Sequence, residues 1–312
     1  MPVTALRWLV LVIGLLASTV ASAGAPADLL GVSDPASAED ESRLRQCEQE
    51  LRSFGTGNGP SSVSPECFAP WSRAAAPGGF RQLADRSLVV AGRGGAILFR
   101  HPTGALTPPT QEVIAGARTG IVDVRALAID SEHGELFVLN RVGADSLQIL
   151  VFSLRLPGNV APLRILAGPA LGGVVALALQ SARGELVLAD GRGAKIVTVS
   201  RMAWGALGGE KAPLLRELTG HRTGLNSPTA VAADPISDEI YVADGARILT
   251  FAGMATGDQD PRRALAGKET GLISPQAIDY SPLDHEIRVE DPKGSPLLRF
   301  GRLLSGSSPG VR

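Results

Sequence analysis

Residues 223–244 read TGLNSPTAVAADPISDEIYVAD. A short run alternating small and branched residues meets a turn rich in Asp, Pro and Ser, and a second β-branched run ends on Asp; this is the layout of two strands joined as a hairpin. The same order of residue types returns at 115–140 (AGARTGIVDVRALAIDSEHGELFVLN), at 167–190 (AGPALGGVVALALQSARGELVLAD) and at 266–291 (AGKETGLISPQAIDYSPLDHEIRVED). A glycine marks each copy, at Gly116, Gly168, Gly220 and Gly267, with separations of 52, 52 and 47 residues. Glu135, Glu185, Glu239 and Glu286 follow at spacings of 50, 54 and 47.

Each unit offers an inner run (ALAID, ALALQ, AVAAD), a middle run (ELFVL, ELVLA, EIYVA), a third run (LQILVF, KIVTV, RILTF) and an outer piece before the next glycine (LRILAG, LRELTG, RALAG). A period near 50 residues with about four strands is the signature of a propeller blade. A degenerate copy without the glycine lead-in precedes them at 87–101 (SLVVAGRGGAILFRH), aligning Leu88 with Leu136 and Phe99 with Phe152. The expected fold is all-β: a β-propeller of five or six four-stranded blades over 79–303, behind an N-terminal helical and loop segment.

TGLNSPTAVAAD and DEIYVADGARILTF together resemble an NHL repeat, a propeller blade with a Gly-Leu-x-x-Pro lead-in, an Ala-Val-Asp inner strand and a Tyr-Val-Ala-Asp turn. The match is closest over 216–253. It weakens at 167–190, where the proline is lost and Gln180 replaces the inner-strand Asp. NHL-like propellers usually have six blades, whereas five copies are countable here; a sixth would come from 24–78 or from a partner chain.

The flanks do not follow the repeat. Arg7, the apolar run WLVLVIGLLASTV and the small residues ASA ending at Ala23 have the layout of a cleavable secretory signal over 1–23, so the expected location is the periplasm or the extracellular space. Within 24–78, Leu44, Cys47, Leu51 and Phe54 stand at helical spacing, and GTGNGPSSVSPECFAPWSRAAAPGG reads as loop. Cys47 and Cys67 are the only cysteines, and an even pair in an oxidising compartment reads most simply as a disulfide. The segment 304–312, SGSSPGVR with Leu304 before it, reads as a flexible tail.

Arg7 is the only charged residue in the first 23, which leaves 29 Lys and Arg against 31 Asp and Glu. That balance argues against nucleic acid as a partner. No later stretch is apolar for long enough to cross a membrane as a helix.

In a propeller the loops leading into the inner strands share one face with the turns between middle and third strands, and ligands are normally taken there. Arg118, Arg141, Arg192, Arg222, Arg247 and Lys268 gather on that rim together with His221. Arg recognises carboxylate and phosphate bidentately, so a protein, a peptide or a small anionic ligand is the expected partner. Asp123, Asp145, Asp190, Asp244, Glu269 and Asp291 share those loops and offset much of that charge. Asp190 and Asp244 close their middle strands, where a carboxylate holds a turn by accepting backbone N–H bonds.

The inner strands carry Ala126-Leu127-Ala128, Ala176-Leu177-Ala178, Ala230-Val231-Ala232 and Ala277-Ile278-Asp279. An axis lined mostly by methyl groups follows, with Asp279 the one charge in the channel. Propeller lactonases mount several Glu, Asn, Asp or His side chains around the axis to hold a metal, and here the alanine file offers one. The expected function is a binding or scaffold module with no cofactor and no resident metal; the alternative is a metal-dependent lactonase or hydrolase-like propeller with an axial site.

Overall fold

The computed structural model describes residues 42, 45–47, 49, 80–82, 88–92, 96–100, 111–144, 146–282, 284–294 and 297–310. Their strands form five sheets. Blade 1 holds β1 (Phe80–Gln82), β2 (Leu88–Gly92), β3 (Ala96–Arg100) and β4 (Gln111–Ile114). Blade 2 holds β5 (Asp123–Asp130), β6 (Glu135–Arg141), β7 (Leu147–Ser153) and β8 (Arg164–Ala167). Blade 3 holds β9 (Val174–Gln180), β10 (Glu185–Asp190), β11 (Lys195–Ser200) and β13 (Arg216–Leu218), while β12 (Gly205–Ala206) pairs in parallel with β8 of blade 2. Blade 4 holds β14 (Pro228–Asp234), β15 (Glu239–Asp244), β16 (Arg247–Ala252) and β17 (Arg263–Ala266). Blade 5 holds β18 (Ala277–Ser281), β19 (Glu286–Glu290) and β20 (Leu298–Gly301). Each blade is an antiparallel meander running from an inner strand outward.

Side-chain alternation explains why the sheets stack. In blade 4, Val231, Ile240, Val242, Leu249 and Phe251 pack on blade 3, while Ala230, Ala232, Tyr241, Ala243 and Ile248 pack on blade 5. Both faces of one sheet are therefore apolar, and the middle strands β10 and β15 are buried at every residue. A sheet of this kind hides its surface only between two others. The inner strands touch in the order β1, β5, β9, β14 and β18, and from β5 onward each is small at its Ala positions so that the blades converge. This radial stacking of meanders is a β-propeller.

A second device ties the blades at the side where the inner strands end. In blades 2, 3 and 4 the Glu that opens the middle strand clasps the Arg that opens the outer strand of the same blade. Arg164 Nη1 and Nη2 each lie 2.8 Å from a Glu135 carboxylate oxygen. Arg216 forks onto Glu185 in the same way, and Arg263 Nη2 lies 2.5 Å from Glu239 Oε2. The clasps also cross to the next blade, since Arg164 donates to Arg201 O and Arg216 to Gly253 O, both at 3.3 Å. Arg201 returns the contact, with Nη1 3.0 Å from Glu135 Oε2.

The lead-in loops are built by repeated local chemistry. Gly116, Gly220 and Gly267 have φ of 109°, 126° and 114°, a region that side chains disfavour, and a Cβ on Gly116 would stand 2.6 Å from Asn159 Cγ. Three residues on, Thr119, Thr223 and Thr270 are buried, and each hydroxyl donates back to the marker glycine's carbonyl. The residue closing the middle strand then collects the loop's amides. Asp244 Oδ1 accepts from Asn226 at 3.1 Å and Ser227 at 2.6 Å, Asp291 accepts from Ile273 and Ser274, and Asn140 Oδ1 accepts from Val122 and Asp123. Asp190 accepts from Gly193 within its own turn. The expectation that Asp190 and Asp244 hold turns agrees with this geometry.

Several expectations change in detail. Gly306, expected in a flexible tail, exchanges backbone bonds with Ala264 and Ala266 of blade 4, both at 2.8 Å. The same parallel bridge joins Ile114 to Gly158 and Leu218 to Gly257, so the overlooked signal is a glycine followed by a polar residue that recurs as Gly158-Asn159, Gly257-Asp258 and Gly306-Ser307. In blade 1, Val89 rather than Leu88 stands opposite Phe99, so Val89 is the true counterpart of Leu136, which stands opposite Phe152. Among the five sheets four have four strands or more, and blade 5 has three described strands. In the N-terminal segment the described residues 42, 45–47 and 49 are helical, with Cys47 buried. Cys67, Asp145 and the residues read as a signal lie outside the described residues. No helix of the described residues is long and apolar enough to cross a membrane.

Three outcomes follow from these contacts. Glu185→Ala strands the Arg216 guanidinium, whose side chain is only 11% exposed. It is expected to lower the unfolding free energy by about 3 kcal/mol, whereas the Glu185→Leu, Arg216→Met double variant costs less; urea denaturation checks both. Asp244→Ala leaves two loop amides and Arg247 without their acceptor and is expected to cost about 2 kcal/mol in the same assay. Asp244→Asn should keep part of this, since Asn140 performs the same task in blade 2. The third concerns acid. Burial pushes the Asp234 carboxyl up, but amide bonds from Ser237 and Ile236 and the Ser237 and Tyr280 hydroxyls outweigh it, so its pKa is lowered. A lowered folded-state pKa means stability that is complete at neutral pH and is lost as pH falls below about 4. Asp234→Asn should therefore narrow the difference in urea midpoint between pH 7 and pH 3.

Candidate functional site

The face carrying the lead-in loops also carries an irregularity repeated in three blades. Pairing between inner and middle strands slips by one residue between Val124 and Ala126, between Val174 and Ala176, and between Pro228 and Ala230. A bulge of this kind leaves one residue unpaired and re-aims its side chain. The bulged residues are Arg125, Val175 and Thr229; Gln276 holds the corresponding place before β18, where its amide donates to Glu290 O. Arg125, Val175 and Gln276 are exposed and Thr229 is half-buried. The start of every inner strand from blade 2 onward thus presents one side chain near the axis.

Arg125 is the charged member. Its Nη1 lies 3.9 Å from Asp123 Oδ2, which is already held by Arg141 Nη2 at 2.5 Å. One carboxylate therefore faces two guanidiniums, and the group keeps a net positive charge. The Thr229 hydroxyl donates to Pro275 O at 2.8 Å, bridging blades 4 and 5. Val122, Val142, Val175 and Ile273 lie exposed on the same side, so the surface is amphipathic rather than purely ionic.

The residues expected on the rim are placed as follows. The exposed Arg118 sits in the 3-10 turn Ala117–Thr119; its amide donates to Asn159 Oδ1 and its guanidinium makes no ion pair with the described residues. His221 and Arg222 occupy the matching turn His221–Thr223 and are exposed. The Arg222 amide donates to Asp258 Oδ1 and its guanidinium pairs with Asp260, a hydrogen bond that raises the Arg pKa further. Arg247 is folded inward, bonding Asp244 Oδ2 at 2.6 Å and the carbonyl of Gly224. Arg192 is exposed in the turn after β10. Arg222 and Arg247 are thus committed to carboxylates of their own blade, through a partner distant in sequence for Arg222 and three residues away for Arg247.

Asp279 is half-buried on β18, opposite Arg288 in register. Ile278 and Tyr280 pack on blade 4, so alternation puts Asp279 on the other face of the strand, turned from blade 4, rather than among the bulged residues. Among the described residues no three His, Cys, Asp or Glu side chains converge as a metal site would require. The opposite side of blades 4 and 5 holds two tyrosines whose hydroxyls stay protonated. Burial, aided by Asp234 and Glu239, pushes the Tyr280 hydroxyl up to about 12 and that of Tyr241 higher still.

The sequence reading missed Arg125, Thr229 and Gln276. Strict alternation would have paired them, and a bulge has no residue signature here beyond the extra position between the Pro or Gly of the lead-in and the first Ala.

No family model and no curated protein matches the chain. Solved structures are similar at the level of fold. A chain in the crystal structure of the nidogen/laminin complex is 14% identical, with a TM-score of 0.45 over 70% of this chain and 72% of that one. A chain of the mitotic checkpoint complex is 16% identical, with a TM-score of 0.46 over 74% and 62%. A putative 6-phosphogluconolactonase from Bacteroides uniformis is 13% identical, with a TM-score of 0.45 over 69% and 62%.

Proposed function

We propose that the chain is an exported NHL-like propeller of five blades that acts as a binding module, taking a protein, peptide or small anionic ligand on the lead-in face. The observation that carries this reading is the repeated bulge. Three inner strands each give up a ladder position to turn Arg125, Val175 and Thr229 out near the axis, on the face where Arg118, Arg192 and His221 are exposed. Bulges are retained where a side chain must be re-aimed, and among the described strands they cluster on this side. The mixture of Arg with exposed Val and Ile suits a peptide carrying acidic and apolar residues better than a bare inorganic anion. Export and a Cys47–Cys67 disulfide belong to the same reading, supported by the signal-like residues 1–23, the even cysteine pair and the burial of Cys47.

The test is titration of the isotope-labelled protein with an acidic decapeptide containing Glu and Leu, followed by amide NMR. Expected shifts fall on Arg118, Arg125, Val175, Thr229 and Gln276, and Arg125→Glu weakens the apparent affinity at least about tenfold, as loss of a charge-assisted pair would. Shifts confined to the opposite side, around Met202, Trp204 and Met254, would remove the lead-in face as the site.

A further inference from the structure

The side opposite the lead-in loops carries a repeated feature that neither the clasps nor the bulges explain. Each third strand from blade 2 onward ends in a β-turn that starts at the residue opposite the middle-strand Glu. The third residue of that turn is Arg155 in blade 2, Met202 in blade 3, Met254 in blade 4 and Leu303 in blade 5. Met202, Met254 and Leu303 are between 50% and 65% exposed. The turn does not require an apolar residue, since Arg155 takes the same place, yet three consecutive blades spend a long apolar side chain there. Two of the chain's three methionines are used in this way, the third being Met1. A second row lies beside the first, because the exposed Leu163 and Leu215 stand just before the outer-strand Arg, where blade 4 has Arg262.

Blade 3 adds an aromatic ring. The link from third to outer strand runs over 154–163 in blade 2 and 253–262 in blade 4, but over 201–215 in blade 3. The longer link folds on itself: Trp204 N donates to Lys211 O and Gly208 N to Ala212 O, while Ala203, Leu207 and Ala212 are buried. Trp204 is nevertheless half exposed, and Lys211 Nζ lies 6.0 Å from its ring centroid. An indole on an internally bonded loop is an anchor whose ordering cost is already met.

The shape of this surface selects its partner. The apolar side chains stand on separate turn tips, so a protein partner needs a pocket for each, and a second copy of the chain would bring the same projections rather than hollows. A hydrocarbon boundary receives each tip wherever it enters. The charges agree with a lipid. Glu135, Glu185 and Glu239 are buried in their clasps, and Asp238 and Asp284 are paired with Arg183 and Arg288. Arg155 and Arg302 make no ion pair with the described residues, and Arg262 shares Glu239 with Arg263. Lys211 has only the exposed Glu210, at 3.9 Å. Glu132 and the half-buried Glu286 offset part of this, which leaves a modest excess of cation beside the tips. Tryptophan next to lysine suits the headgroup zone, where one end of each is wet.

We propose that this side of blades 3 to 5 docks on the surface of an anionic lipid bilayer. Met202, Trp204, Met254 and Leu303 enter the boundary between headgroups and acyl chains, and Arg155, Lys211 and Arg302 meet lipid phosphates. The lead-in face then points away from the bilayer and stays open.

The test uses the full chain with Trp8→Phe and Trp71→Phe, which leaves Trp204 as its one tryptophan. It is mixed with vesicles of phosphatidylglycerol and phosphatidylcholine whose acyl chains carry bromine, a contact quencher of indole. Trp204 emission is expected to move to shorter wavelength and to lose at least about half its intensity, with less loss on phosphatidylcholine alone. Met254→Glu with Leu303→Glu should cut the quenching at least about threefold while the Tm stays within about 2 °C, because both positions are exposed. Arg155→Gln with Arg302→Gln should remove the preference for phosphatidylglycerol. Attachment through residues 1–23 alone does not bring bromine to Trp204. Emission that is unchanged on vesicles the chain binds, or quenching that survives Met254→Glu with Leu303→Glu, overturns the proposal. Self-association in lipid-free sedimentation that Met254→Glu abolishes also overturns it, by giving this side to a second copy.

Discussion

Everything in this molecule depends on sheets that are apolar on both faces. A meander such as β14 to β17 cannot leave either side in water, because Val231, Val242 and Phe251 point one way and Ala232, Tyr241 and Ile248 the other. Burying a side chain of the size of Phe251 is worth about 2–3 kcal/mol, and each blade makes several such burials on each side. The small residues of the inner strands let the blades approach at the axis, and the larger ones of the middle and third strands fill the widening space outside. Radial stacking satisfies this size gradient, whereas stacking in a line would not need it.

The polar groups serve that packing instead of competing with it. Glu135, Glu185 and Glu239 are each largely buried, and an isolated carboxylate there would be costly. Each is matched by an Arg of its own blade, and the partners of Glu135 and Glu185 also reach a carbonyl of the next blade, so these charged contacts tie one sheet to the next. The buried Thr and Asp or Asn of the lead-in loops do the same for the opposite side, closing the backbone bonds that a chain crossing from rim to axis leaves open. The bulges sit where these two systems meet, between a rigid loop anchor and a rigid ladder. An exposed side chain placed there is held by its backbone before any ligand arrives.

The candidate surface is therefore a fixed one. Arg125 is positioned by its bulge and by the Asp123–Arg141 pair, and Arg118 by the amide bond to Asn159. Charges that look equivalent in the sequence differ in availability, since Arg247 is turned into its own turn while Arg118 is not. This separates side chains that build the face from those that remain on it.

The sequence by itself determined the repeat, its strands and the turn role of Asp190 and Asp244, because period-two alternation and backbone-accepting side chains are local properties. The Gly and Glu positions were visible as a rhythm, although their partners were not: Glu135 meets Arg164 and Arg201 across 29 and 66 residues. Tertiary structure alone decided which of the rim arginines are spent on neighbouring carboxylates. It also decided that the axis is flanked by bulged Arg125 and Thr229 rather than only by alanine methyls, and that Gly306 belongs to blade 4. The physical reason is common to all three. Alternation fixes the face a side chain takes within its own strand, while bulges, bridges and ion pairs depend on what the next blade places opposite it.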